Sequence, residues 1–186
     1  MSKIQMAALA LAAFLGVGFA PKDDRNVPRT EKYQVTGLFR PDRENDFREA
    51  MKDVPEVRLV ALDYKNAEAS FEFIPAKAFP GAGKPEQILQ QLDNKVRQAT
   101  RHTFGLKPRR TVPREKLALV EIAVGGCDCK ACDLGAYEIV AKLPGVEQAT
   151  ACFREGRVTA LIDPTKTDRA KLVEALKRRE VRVKMP

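Results

Sequence analysis

From Glu31 onward, apolar positions first alternate, then recur every three or four residues, then alternate again. Tyr33 to Gly37 alternates as a half-buried strand does, with successive side chains on opposite faces. Asp42 to Asp53 predicts a helix, with Phe47, Ala50 and Met51 on one face and Asp42 near its start. Val57 to Tyr64 and Ala69 to Ile74 predict two strands turned at Lys65-Asn66. Pro75 to Pro85 is rich in Pro and Gly and reads as a loop. Ile88, Leu92 and Val96 then share one face of a second helix, and Phe104 to Lys107 gives a weak closing strand.

A basic connector over 108–116 follows, and the order repeats. Leu117 to Val124 predicts a strand, and Cys132 to Leu143 a helix with Ala136, Val140 and Leu143 inward. Val146 to Phe153 and Val158 to Ile162 form a hairpin around Glu155-Gly156. Asp168 to Arg179 is a helix with Leu172, Val173 and Leu176 inward, and Val181 to Lys184 closes the sheet. Strand, helix, strand, strand, helix, strand implies a four-stranded antiparallel sheet with both helices on one face. The fold class expected is therefore α+β, a ferredoxin-like βαββαβ unit in two tandem copies, over 31–107 and 117–186.

The copies overlay without a gap at an offset of 89 residues: Val35 on Val124, Gly37 on Gly126, Glu49 on Glu138, Pro55 on Pro144, Val57 on Val146. These identities fall at a strand end, a helix end and the next strand start. That placement marks a repeat whose first copy is degenerate.

The ends carry different information. Lys3 followed by the apolar run Ile4 to Phe19, with Gly18 and Ala20 before Pro21, has the form of a secretory leader over 1–20. The run is short for a membrane span, although an uncut anchor would use the same residues. Residues 21–30 are polar and Pro-bearing, a flexible lead-in. The mature chain is expected to be exported, periplasmic or extracellular, with no stable membrane insertion once the leader is removed.

The net charge of +8 comes from 33 basic and 25 acidic residues. The bases are interspersed with acids along helix faces. Aromatic residues make up 6% of the chain and Trp is absent, so the stacking platforms of single-strand binders are poorly supplied. The charge reads as a solvated surface, with no nucleic-acid partner.

All four cysteines, Cys127, Cys129, Cys132 and Cys152, lie in the second copy. A disulfide framework would spread through the chain; clustering points to a site. In Gly125-Gly126-Cys127-Asp128-Cys129-Lys130-Ala131-Cys132, two sulfurs two residues apart lie where a strand ends and a helix begins. Unpaired N–H groups at a helix start favour thiolate, and thiolates select Cu(I), Zn(II) and other soft ions over Mg(II) or Ca(II).

Residues 117–184 resemble the heavy-metal-associated domain of copper chaperones, copper-transporting ATPases and the periplasmic mercuric-ion-binding protein. The family motif Gly-Met-x-Cys-x-x-Cys is matched from Gly126 to Cys132, Leu-Pro-Gly-Val from Leu143 to Val146, and Asp-Pro at Asp163-Pro164. The resemblance implies that Cys129 and Cys132 are the metal ligands. It also implies Cu(I) as the first expectation, with Hg(II) or Zn(II) next, and a metal-transporting or metal-accepting protein as partner through thiolate exchange. The family Met is Cys127 here. Either a small apolar thiol takes over a packing position, or a third sulfur joins the site; the packing role is the reading taken.

Alternation places Cys152 on the face of the sheet away from the helices, as a surface thiol. At the repeat offset Arg40 and Arg43 replace Cys129 and Cys132, so the first copy lacks both sulfurs. Its loop could orient the second domain or contact a partner through Arg40 and Arg43 as surface cations; a plainly solvated loop is the reading taken. His102, the lone histidine, follows a helix with no ligand partner at helical spacing. Enzymatic chemistry is not expected. A thiol–disulfide redox protein is the main alternative, since CxxC at a helix start serves that chemistry too, and a metal-free adaptor is the other.

Overall fold

The computed structural model describes residues 24–126 and 128–184. The expected leader and Cys127 lie outside them. In the first domain β1 (Arg29–Thr36) leads to α1 (Arg43–Ala50), β2 (Val57–Asp63), β3 (Glu68–Phe73), α2 (Pro75–Ala78), α3 (Pro85–Ala99) and β4 (Gly105–Lys107). The second contains β5 (Ala118–Gly125), α4 (Lys130–Ala141), β6 (Val146–Cys152), β7 (Arg157–Ile162), α5 (Arg169–Arg178) and β8 (Arg182–Val183). The sheet orders are β2-β3-β1-β4 and β6-β7-β5-β8, with antiparallel pairings. This is the α+β ferredoxin-like arrangement, present twice.

The repeat is preserved strand for strand. Moved on by 89 residues, β1, β2 and β3 become β5, β6 and β7 end for end. Register follows: Arg29 and Val57 both face Phe73, as Ala118 and Val146 both face Ile162. The offset lapses after β3. Leu106 pairs with Val35 and Val183 with Val124, yet Leu106 and Val183 lie 77 residues apart.

The difference comes from an insertion in the first domain. Pro75 to Pro85, expected as loop, opens instead with the single turn α2. Pro75 stands in the first turn, where its missing N–H is not needed. The turn delivers Phe79, fully buried, edge-on to Phe73 at 4.9 Å between ring centroids. Four residues are too few for a periodic signal, so only the Pro could have marked it. The expected lead-in also contains structure, since Arg29 and Thr30 already pair with Phe73 and Glu72.

Side chains fix the helix starts. Gln87 Oε1 accepts from the Gly83 and Lys84 N–H groups ahead of α3, and Asp168 Oδ1 accepts from Lys171 N at the start of α5. Phe47, Phe71, Leu92 and Val96 lie in the first core; Ile122, Val124, Val140, Val158, Leu172 and Leu176 lie in the second. Leu143-Pro144-Gly145-Val146 and Asp163-Pro164 meet, the Asp163 N–H donating to the Gly145 carbonyl at 2.7 Å. Both elements thus brace one end of the second sheet. No helix among the described residues is long and apolar enough to cross a membrane.

Candidate metal centre

β5 ends at Gly125, and Gly126 turns the chain with φ +153, a value L side chains rarely adopt. Cys129 is the N-cap of α4, with extended backbone, and its Sγ accepts from the Cys132 N–H at 3.1 Å. The helix therefore starts at Lys130, two residues before the start expected from apolar spacing. A sulfur cap is not a signal that periodicity carries. A backbone N–H aimed at the sulfur favours its thiolate form.

Cys129 and Cys132 are both partly exposed, and Asp128, Lys130 and Ala131 around them are exposed. The structure thus brings the two expected ligands to one solvent-facing helix head. Cys127 falls outside the described residues. Among the described residues no three His, Cys, Asp or Glu side chains are grouped to hold an ion. His102 is exposed in a left-handed turn after α3.

The side chain after the second sulfur is unexpected. Asp133 is fully buried; its Oδ1 accepts from Phe153 N and its Oδ2 from Arg40 Nη1, each at 2.7 Å. Arg40 Nε lies 3.3 Å from Asp42 Oδ1, and Asp42 Oδ2 lies 3.3 Å from Lys130 Nζ. An ionic chain thus runs from the first domain to Lys130, between the two cysteines. The hydrogen bond to Asp133 holds the Arg40 guanidinium more firmly charged against the cost of burial, with Asp42 and Cys152 adding to it. Burial alone would raise the Asp42 carboxyl; Lys130 and Arg40 outweigh it and bring it below the usual range.

The expectation of a solvated loop around Arg40 and Arg43 is therefore corrected. Both arginine side chains are 14% exposed. Arg43 pairs with Asp46 and sits over the rings of Phe39 and Phe104, at 5.2 and 5.1 Å. Phe39, 2% exposed, belongs to the core of the second domain, 5.8 Å from the Tyr137 ring. Its carbonyl accepts from Ala151 N, and the Gly37 N–H donates to the Tyr137 hydroxyl at 2.7 Å. Gln34, also buried, donates to the Glu147 carbonyl. The surface reading of Cys152 is corrected in part: it is a free thiol on the face expected, but partly covered.

Reasoning from sequence missed Asp133, Phe39 and the Asp42–Lys130 link. Asp133 did leave a signal. It lies three and four residues before Ala136 and Tyr137, on the buried face of α4, where an acid requires a partner. Phe39, an aromatic residue in a loop, was the matching clue.

No family model matches the chain, and no curated protein does. Among solved structures, oxidized MerP from Ralstonia metallidurans CH34 is 24% identical over 37% of this chain and 94% of its own, with a TM-score of 0.35. A CopZ metallochaperone is 19% identical over 36% of this chain and 100% of its own, also at 0.35. The water-soluble region of the P-type ATPase CopA from Bacillus subtilis covers 85% of this chain and 91% of its own, at 16% identity and a TM-score of 0.34.

Proposed function

We propose that this chain is an exported protein that captures a soft metal ion and passes it on through the thiolates of Cys129 and Cys132. One observation carries the reading: a sulfur caps α4 with a second sulfur in the same first turn, both at an exposed helix head. Cu(I) is the first candidate, followed by Hg(II) and Zn(II), because thiolate donors suit soft ions. Two thiolates on Cu(I) leave one negative charge, which the α4 N-terminus offsets, Lys130 being paired with Asp42. An exposed ion with two ligands can accept a third sulfur from a partner before releasing one of its own. Transfer by that route needs no enzyme chemistry, and the partner is a protein that accepts or transports the metal.

Titration of the reduced full chain with Cu(I), with Zn(II) and Hg(II) as competitors, tests this. One equivalent of Cu(I) should bind and outcompete Zn(II), and Cys129→Ser with Cys132→Ser should abolish binding. Retention of the ion by that double variant would overturn the assignment. Redox turnover without metal would favour an oxidoreductase, and neither activity a metal-free adaptor. Cys127→Met in the same titration separates a packing thiol, with affinity kept within a few-fold, from a third ligand.

A further inference from the structure

The first domain lacks both sulfurs, yet its matching loop is built onto the head of α4. Three contacts anchor it there independently of the cysteines: Phe39 in the second core, Gly37 N–H on the Tyr137 hydroxyl, and Phe39 O on Ala151 N. From this anchor Arg40 reaches the buried Asp133 beside Cys132, and Asp42 reaches Lys130 between the two ligands. A solvated loop would make none of these contacts.

We propose that Arg40 and Asp42 are positioning residues for the metal loop, so that the first domain slows loop motion and release of the bound ion without supplying a ligand. The proposal rests on the metal-binding reading only for its second consequence, release of the ion. Loop motion belongs to the metal-free chain and can be measured whether or not an ion binds.

Two mechanisms act at different depths. Arg40 meets a carboxylate with no exposure to solvent, so the pair is weakly screened and fixes the first turn of α4. Asp42 and Lys130 are 41% and 61% exposed, so their link is weaker and sensitive to salt. Arg40→Lys keeps a charge for Asp133 but loses the fork that serves Asp133 and Asp42 together. Asp42→Asn removes the charge that pairs with Lys130 and with Arg40 Nε, and leaves the Arg40–Asp133, Phe39 and Gly37 contacts in place.

The test is amide hydrogen exchange across 128–131 in the reduced, metal-free full chain, paired with the rate of Cu(I) transfer to a bicinchoninate competitor. Asp42→Asn should speed exchange in the loop and Cu(I) transfer by about two- to fivefold, an effect that shrinks in high salt. Arg40→Lys should do so to a similar extent, and Arg40→Met by more. Exchange of the β5 core amides should stay at the parent rate in Asp42→Asn, separating loop release from general loosening. Parent-like loop exchange in both Asp42→Asn and Arg40→Lys would overturn the proposal, even if Arg40→Met loosens the fold. If the parent binds no Cu(I), the metal reading fails alone, and loop exchange still decides the brace.

Discussion

At the scale of single residues, burial decides which charged forms the fold tolerates. Burial pushes the Tyr33 and Tyr64 phenols up to about 12, with Glu31 adding at Tyr33, and Glu155 and Cys152 adding at Tyr64. The folded chain therefore holds these protons more tightly than the unfolded chain, whose phenols titrate near 10. Their contribution to stability is complete below about pH 10 and is lost as pH rises toward about 12. Phenolate absorbance and far-UV circular dichroism should therefore change together in an alkaline titration. Ionisation of all three tyrosines well before any loss of secondary structure would contradict the burial argument.

At the scale of elements, the loop between β1 and α1 does the work of a core element for a domain it does not belong to. Truncating Phe39→Ala empties a site among the second domain's buried residues. It should cost about 3–5 kcal/mol in urea unfolding, as other large-to-small aromatic changes do. A loss below about 1 kcal/mol would mean that the cavity collapses or that Phe39 contributes little packing. This loop also marks where sequence stopped being informative. Strands β1 to β3 and β5 to β7 were legible because each carries period-two alternation and repeats at one offset. The helix faces through Ile88, Leu92 and Val96 and through Leu172 and Leu176 were legible from their recurrence every three or four residues. The CxxC pair was legible from its spacing. The Arg40–Asp133 contact was not, because its partners are 93 residues apart and nothing local in either segment names the other. The repeat offset aligns Arg40 with Cys129 and marks the missing sulfur, but it carries no sign of the buried carboxylate that Arg40 meets.

At the scale of the whole molecule, apolar packing and buried polar contacts join the two sheets. Tyr137, Asp133 and Phe39 each take a partner from the other domain. Removing one domain would leave the Asp133 carboxylate without its ion-pair partner and the Phe39 ring without its packing, a severe cost for the part that remains. The full chain should therefore unfold in urea as one unit, with tyrosine fluorescence and far-UV circular dichroism giving the same midpoint. Two separated midpoints would show that the domains are energetically independent.

The docking loop has a further consequence for self-association. β6 is an outer strand of the second sheet, and outer strands invite pairing with other chains into fibrils. Here the Ala151 N–H and the Glu147 carbonyl are already engaged by Phe39 and Gln34. The other outer strand, β8, is only two residues long, a poor template for a foreign strand. A domain without the paired sulfurs thus occupies part of the edge that its neighbour would offer to another chain.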